Sequence, residues 1–169
     1  MWYARKSVSD HGSPMKLRLL SWNVRGANDS SKRKVIKALI RSQMVDLFCL
    51  QETKIQAMSE GVVRSLGTGR FLDWGALDAS GSAGGILICC DKRTLDVLEL
   101  EVGQFSISCR FSNVEDGLIW IFTGVYGPFS REERVWLWEE LGAIRGIWDD
   151  PWCLGGDFNV ILFQRERSR

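Results

Sequence analysis

Three short stretches place carboxylates and carboxamides where a polar substrate could meet them. Asn23 follows Leu19-Leu20-Ser21-Trp22, Gln51-Glu52 follows Leu47-Phe48-Cys49-Leu50, and Asp157-Phe158-Asn159 follows Trp152-Cys153-Leu154-Gly155-Gly156. A carboxylate accepts a proton or a cation, and an amide both donates and accepts. Three apolar, strand-like runs ending in such groups therefore read as an active-site rim. Side chains at i and i+2 of an extended segment point the same way. The spacing predicts that Asp157 and Asn159 face one substrate together, with Phe158 turned into the core, provided strand geometry persists to Asn159.

The elements that position these groups are legible along the chain. Strands are predicted over Leu17–Val24, Val45–Gln51, Arg70–Leu77, Gly85–Cys90, Thr94–Val102, Phe105–Phe111 and Leu118–Tyr126. Val45–Gln51 contains the short apolar run Leu47–Leu50, the pattern of a strand covered on both faces. A helix is predicted from Ser30 or Ser31 to Met44, with Val35, Ile36, Leu39, Ile40 and Met44 on its apolar face and Lys32, Arg33, Lys34, Lys37 and Arg41 elsewhere. Met58–Leu66 is a weaker helix. Ser130–Trp148 is the clearest one, opened by a Ser130/Glu133 capping box and ended before Pro151. The order β-α-β-α, a run of strands, then α-β implies a mixed α/β layout of sheet on sheet with helices outside.

Length and composition set the bounds. At 169 residues, 45% of them hydrophobic and 25% charged, the chain reads as one ordinary globular domain. Residues 1–14 read as a loose tail and 15–169 as the folded domain. With 22 basic and 21 acidic side chains there is no basic nucleic-acid footprint in the overall charge. The five cysteines lack zinc-site spacing and lie in apolar runs, as buried reduced thiols of an intracellular protein would. No stretch has the length of a membrane span or the layout of a signal peptide. Most of the eight tryptophans are expected to pack between layers.

Five segments in order carry a family likeness: Ser21-Trp22-Asn23-Val24-Arg25-Gly26, Leu50-Gln51-Glu52-Thr53-Lys54, Ser82-Ala83-Gly84-Gly85-Ile86, Val125-Tyr126-Gly127-Pro128 and Gly155-Gly156-Asp157-Phe158-Asn159. Together they resemble the endonuclease/exonuclease/phosphatase superfamily. The likeness is greatest to the apurinic-type endonuclease domain of plant LINE (non-LTR) retrotransposons, and the Arg-Glu-Arg-Ser-Arg tail adds to it. The resemblance implies a four-layer α/β/β/α sandwich and a Mg²⁺-dependent phosphodiester hydrolase, with Mn²⁺ as a possible substitute, that acts on DNA in the nucleus.

It also implies roles. Glu52 matches the metal-binding glutamate, Asn23 the residue joining the metal site to the scissile phosphate, and Asp157 the residue that orients or deprotonates the attacking water. Asn159 matches its partner at the phosphate, and Tyr126 the tyrosine that hydrogen-bonds the phosphate or assists the leaving group. Taken singly, an Asn or an Asp-x-Asn after a strand is a turn former, and the five segments together favour the functional reading. Arg25 stands where apurinic repair enzymes carry an Asp, which favours the retrotransposon branch; a phosphate contact and a solvated side chain are both open to it. Lys32, Arg33, Lys34 and Lys37 read as a solvated face, with a DNA backbone as the alternative. Ser82-Ala83-Gly84-Gly85 reads as a hairpin turn with no catalytic part.

The resemblance further implies a second set of residues beyond Asp157-Phe158-Asn159, closed by an Asp-His pair. The one histidine, His11, stands in the leading segment and matches no motif. The expectation is a sandwich incomplete at its C-terminus, inactive or weak as it stands, with an exposed sheet edge open to self-association. Two further readings accompany this one: a non-catalytic remnant that binds metal, nucleic acid or a partner chain, and a phosphatase or other phosphoesterase of the same superfamily.

Overall fold

A computed structural model describes residues 16–159 together with the backbone of residues 2–7. Within these residues the order is β1 (Trp2–Ser7), β2 (Lys16–Asn23), α1 (Ser30–Gln43), β3 (Leu47–Gln51), α2 (Glu60–Leu66), β4 (Leu72–Leu77), β5 (Ile86–Asp91), β6 (Leu95–Val102), β7 (Ser106–Asn113), β8 (Ile119–Tyr126), α3 (Arg131–Ile147) and β9 (Trp152–Asp157). The strands form two sheets, ordered β1-β2-β3-β5-β4 and β6-β7-β8-β9.

Alternation along the strands decides the layers. Leu17, Leu19, Leu47, Cys49, Ile86 and Ile88 of the first sheet meet Ile107, Cys109, Phe111, Trp120 and Phe122 of the second in one buried cluster. The residues between them, Leu20, Phe48, Leu50, Leu87 and Cys89, point the other way onto Ile36 and Ile40 of α1 and Val63 and Leu66 of α2. On the far side Val125 and Ile121 pack under Leu137, Leu141 and Ile144 of α3. The result is the α/β/β/α sandwich. All five residues of β3 are buried, as its unbroken apolar pattern requires.

Local signals place the helix ends. Ser130 caps α3: its hydroxyl accepts the Glu133 N–H at 3.2 Å and donates to the Glu133 carboxylate at 2.7 Å. Asp29 caps α1 by accepting the Ser31 N–H at 2.7 Å. The apolar face of α1 is narrower than its pattern suggests, because Val35 and Met44 are exposed. Met44 is the left-handed cap at φ 49° and turns away from the core.

One expectation gives way here. The backbone of Trp2–Ser7 pairs antiparallel with β2, Trp2 opposite Ser21 and Ser7 opposite Lys16, where the sequence suggests a loose tail. That edge of β2 would otherwise present unpaired N–H and C=O groups, and a nearby extended segment takes them up. Residues 8–15, His11 among them, lie outside the described residues, as do 160–169. Most of the described tryptophans do pack in the interior, Trp120 and Trp148 buried and Trp22, Trp74 and Trp152 against core clusters, whereas Trp136 and Trp138 are each 52% exposed on α3. Four cysteines are buried and Cys153 is half-buried, all as free thiols. Among the described residues no helix is long and apolar enough to cross a membrane.

Candidate active site

β2 runs parallel to β3 and β8 parallel to β9, because α1 and α3 are crossover connections. All four strands therefore finish at the same end of the sandwich. Register pairs Asn23 with Gln51 and Tyr126 with Asp157. The sheets come close at this end because β8 carries Gly124, where a Cβ would stand 2.6 Å from Cys49 Sγ and 3.2 Å from Ile86 Cγ2. Across the gap Asn23 Nδ2 donates to Asp157 Oδ2 at 3.1 Å, joining the first sheet to the second.

Asp157 and Asn159 do come together, but by a different route from the one the alternation suggests. β9 ends at Asp157, and Asn159 is left-handed at φ 50°. Its N–H turns back to Asp157 Oδ1 at 2.9 Å, an Asx-type turn, and its side-chain amide donates to the Gly127 carbonyl. The turn-forming reading of Asp-x-Asn therefore holds, and the turn itself brings Asp157 and Asn159 together. Phe158 packs with Phe105, Val125, Leu137 and Leu141, and its ring stacks on Trp138 at 6.1 Å.

Glu52 sits just past β3 in a left-handed turn, at φ 54°, with Lys54 at φ 57°. Such backbone is held only where its surroundings over-determine it, and here two neighbouring segments do so. On one side the N–H groups of Gly26 and Ala27 donate to the carbonyls of Glu52 and Thr53, at 2.6 and 2.8 Å. On the other the N–H groups of Thr53 and Lys54 donate to the carbonyls of Gly85 and Gly84, at 3.2 and 2.9 Å. A Cβ on Gly85, itself at φ +94°, would overlap Thr53 Oγ1. The Ser82–Gly85 segment therefore braces the Glu52 turn, a positioning part that its glycines alone did not disclose. Gln51, beside Glu52, is 2% exposed and points inward, its amide donating to Ser21 Oγ at 2.8 Å and to the Cys49 carbonyl at 3.2 Å.

Tyr126 ties Glu52 to the rest. Its phenol is held above the ordinary tyrosine pKa first by burial, then by the charges of Glu52 and Asp157, against a hydrogen bond with Asn159 that lowers it. The phenol thus keeps its proton and lies in the field of both acids. Lys54 Nζ stands 3.4 Å from Glu52 Oε1, a partner that the Gln-Glu-Thr-Lys motif contained without showing its use.

Arg25 is brought close only through its backbone. Its N–H donates to Asn23 Oδ1 at 3.0 Å, which turns the Asn23 NH₂ toward Asp157, while Arg25 itself is exposed at φ 52°. Three of the basic residues of α1 bind neighbouring carbonyls and so do not form a free face. Lys32 donates to the Arg25 carbonyl at 2.9 Å, Arg33 to those of Ala27 and Asn28 at 3.0 and 2.6 Å, and Lys37 to that of Arg64 at 2.9 Å.

Among the described residues no group of three or more His, Cys, Asp or Glu side chains gathers at one point. The donors at this end are the carboxylates of Glu52 and Asp157 and the amide oxygen of Asn23. An all-oxygen set with two acids suits a hard cation such as Mg²⁺, which usually takes one or two carboxylates and keeps waters. It does not suit a closed zinc site of thiolates and imidazoles.

The family model described as "Endonuclease/Exonuclease/phosphatase family" matches residues 20–169. The chain belongs to this family. Three solved structures share the endonuclease/exonuclease/phosphatase fold with it. A family protein from Bacteroides thetaiotaomicron is 18% identical, with a TM-score of 0.66 over 88% of this chain and 66% of that one. The mannosyl-6-phosphatase Bt3783 of the same organism is also 18% identical, with a TM-score of 0.65 over 88% and 67%. D. rerio TDP2 complexed with single-strand DNA product is 18% identical, with a TM-score of 0.62 over 86% and 61%. The chain thus spans 66% of the length of the first of these. Among curated proteins no sequence match was found. Members of the family are hydrolases, nucleases and phosphatases among them, and generally use divalent metals.

Proposed function

We propose that this domain is the site-bearing part of a divalent-cation-dependent endonuclease that hydrolyses a phosphodiester of DNA, of the kind found in plant LINE retrotransposons. The observation that carries the reading is the hydrogen-bonded chain Asn23–Asp157–Asn159, with Tyr126 in contact with Asn159 and in the field of Glu52. A DNA-bound relative with the same fold supports the choice of nucleic acid.

In this reading Glu52 holds the cation, which when bound neutralises the non-bridging phosphate oxygens. Asp157 orients a water and accepts its proton as the water oxygen bonds to phosphorus. Asn23 and Asn159 donate to phosphate oxygens, and their hydrogen bonds to Asp157 keep the three groups in register. The P–O bond to the leaving oxygen breaks, and the Tyr126 phenol, still protonated, donates to that oxygen. Arg25 reaches a flanking phosphate from the rim.

The test is nicking of supercoiled plasmid in Mg²⁺ by this chain, Glu52→Ala and Asp157→Ala. Relaxation by the wild-type chain that falls at least about a hundredfold in each variant supports the reading. No relaxation above the variants, in folded protein, leaves the non-catalytic remnant. The mannosyl-6-phosphatase neighbour favours a second reading, a phosphomonoesterase. Phosphate release from mannose 6-phosphate without plasmid relaxation would select it.

A further inference from the structure

Beside Tyr126, on the side of the ring that borders Gly84, lies a cavity of about 560 Å³. Its apolar walls include Ile86, Phe105, Pro128 and Phe129. Among the described residues, the charged side chains lining it are Asp78 and Glu133, with no lysine, arginine or histidine. Asp78 already accepts the Met58 N–H at 3.0 Å, and Glu133 the Ser130 hydroxyl at 2.7 Å. Two carboxylates and no cation repel a phosphate, so the cavity is suited to a neutral group.

Phe129 is the informative residue. It is 76% exposed, the most exposed large apolar side chain among the described residues. Its ring stands at 85° to Tyr126, with centroids 6.4 Å apart. An edge-on contact leaves a ring face open to a second planar group, and exposed aromatic faces that border phosphate sites stack nucleobases. The Gly127-Pro128 turn that presents it is fixed from behind: Gly127 N–H donates to the Asp157 carbonyl at 2.6 Å and Gly127 accepts from Asn159. The ring is thereby held at a set distance from the proposed scissile phosphate.

We propose that this cavity is a base subsite, in which the nucleobase next to the scissile phosphate stacks on Phe129 while the phosphodiester lies on the far side of Tyr126. The inference rests on the nuclease reading above and assigns its substrate the form of an unpaired or splayed base, since a stacked, paired one does not present its face. A cavity of this volume falls within the range of small-molecule sites. The side chains of Ser80 and Gln104 line the same space and can meet the edges of a base.

The experiment measures binding of single-stranded oligonucleotides to the full chain in Ca²⁺, with 2-aminopurine at successive positions, for wild type, Phe129→Ala, Phe129→Leu and Phe129→Trp. The expected result is quenching at one position, lost in Phe129→Ala and Phe129→Leu together with about tenfold in affinity, and regained in Phe129→Trp. An oligonucleotide with an abasic spacer at that position should bind more weakly to wild type and lose no further affinity in Phe129→Ala. Equal losses on the spacer strand, or wild-type binding by Phe129→Leu, overturn the subsite. Plasmid nicking by wild type and Asp157→Ala separates the two ideas. Quenching that depends on Phe129 without any nicking leaves the subsite and removes the catalytic reading. Nicking that depends on Asp157, with binding indifferent to Phe129, does the reverse.

Discussion

At the end of the sandwich where β2, β3, β8 and β9 finish, Glu52 and Asp157 face amides, a phenol and one ammonium. At the opposite end Asp46 and Asp91 meet tightly fitted donors. Asp46 accepts the Arg18 N–H at 2.8 Å, and Arg93 grips both oxygens of Asp91, through Nε at 3.0 Å and a terminal nitrogen at 2.6 Å. The backbones differ in the same sense. Of the five non-glycine residues at positive φ among the described residues, Arg25, Glu52, Lys54 and Asn159 are at the first end, and Met44, a helix cap, is not. Strain and an acid pair close to an undissociated phenol are kept where chemistry is proposed, and matched charges are used where the fold is merely closed. Acids stand at both ends; what differs between them is the state in which those acids are held.

The sharpest way to break this contrast is at Gly156. It holds φ +146°, and a Cβ there would overlap the Val125 carbonyl oxygen, a backbone atom with no room to retreat. Gly156→Ala should destabilise the chain by about 3 kcal/mol or more in urea unfolding, with β9 and hence Asp157 displaced. A change under 1 kcal/mol would mean that the site end is looser than its backbone implies.

Next comes the phenol. With pKa raised in the fold, Tyr126 holds its proton more tightly there than in the unfolded chain. Its contribution is complete below about pH 10, and is lost as pH rises from there through the folded pKa, because the unfolded chain ionises first. Ultraviolet titration against Tyr126→Phe should find its phenolate forming late. Glu52→Gln should bring that titration down in pH, while Asp91→Asn should leave it in place. An unmoved titration in Glu52→Gln would separate Glu52 from the cluster.

The smallest effect belongs to the other end. Asp91 is held below the ordinary carboxylate pKa, chiefly by its hydrogen bonds from Arg93. That stabilisation is present above the unfolded carboxylate's pKa and lost as pH falls through the folded one. Arg93 is well exposed, so Asp91→Asn should cost no more than about 1 kcal/mol at neutral pH, with hydrolysis unchanged. A larger loss would show that the surface pair is part of the core.

Much of this was legible in residue order. The capping serine before α3, the unbroken apolar run of β3 and the polar residues after each apolar strand are local signals, and they placed every described element but β1 within a few residues. What local signals omit is what distant backbone does. Nothing in Glu52-Thr53-Lys54 announces a left-handed turn held between Gly26 and Gly85. Alternation would have aimed Asn159 by an extended strand, and a hydrogen bond turns it instead. Lys32 and Arg33 look like a wet helix face until the carbonyls they clamp are known. Phe129 is the same kind of omission: an aromatic after Gly-Pro, outside any apolar run, is a readable hint, but its cavity is made by residues from Leu77 to Glu133.

The hydrogen bond from Asn23 to Asp157 joins residues 134 positions apart, the first described strand with a described side chain to the last. At about 5–20 residues per second, a ribosome makes Asp157 roughly ten seconds after Asn23. Throughout that interval the nascent chain holds the Asn23 amide and Glu52 without the acid that Asn23 meets. Closing so long a loop is also the slowest kind of contact to form. The junction between the sheets is therefore a clock: whatever this end of the sandwich does, it begins only after synthesis has passed β9 and the two halves have met.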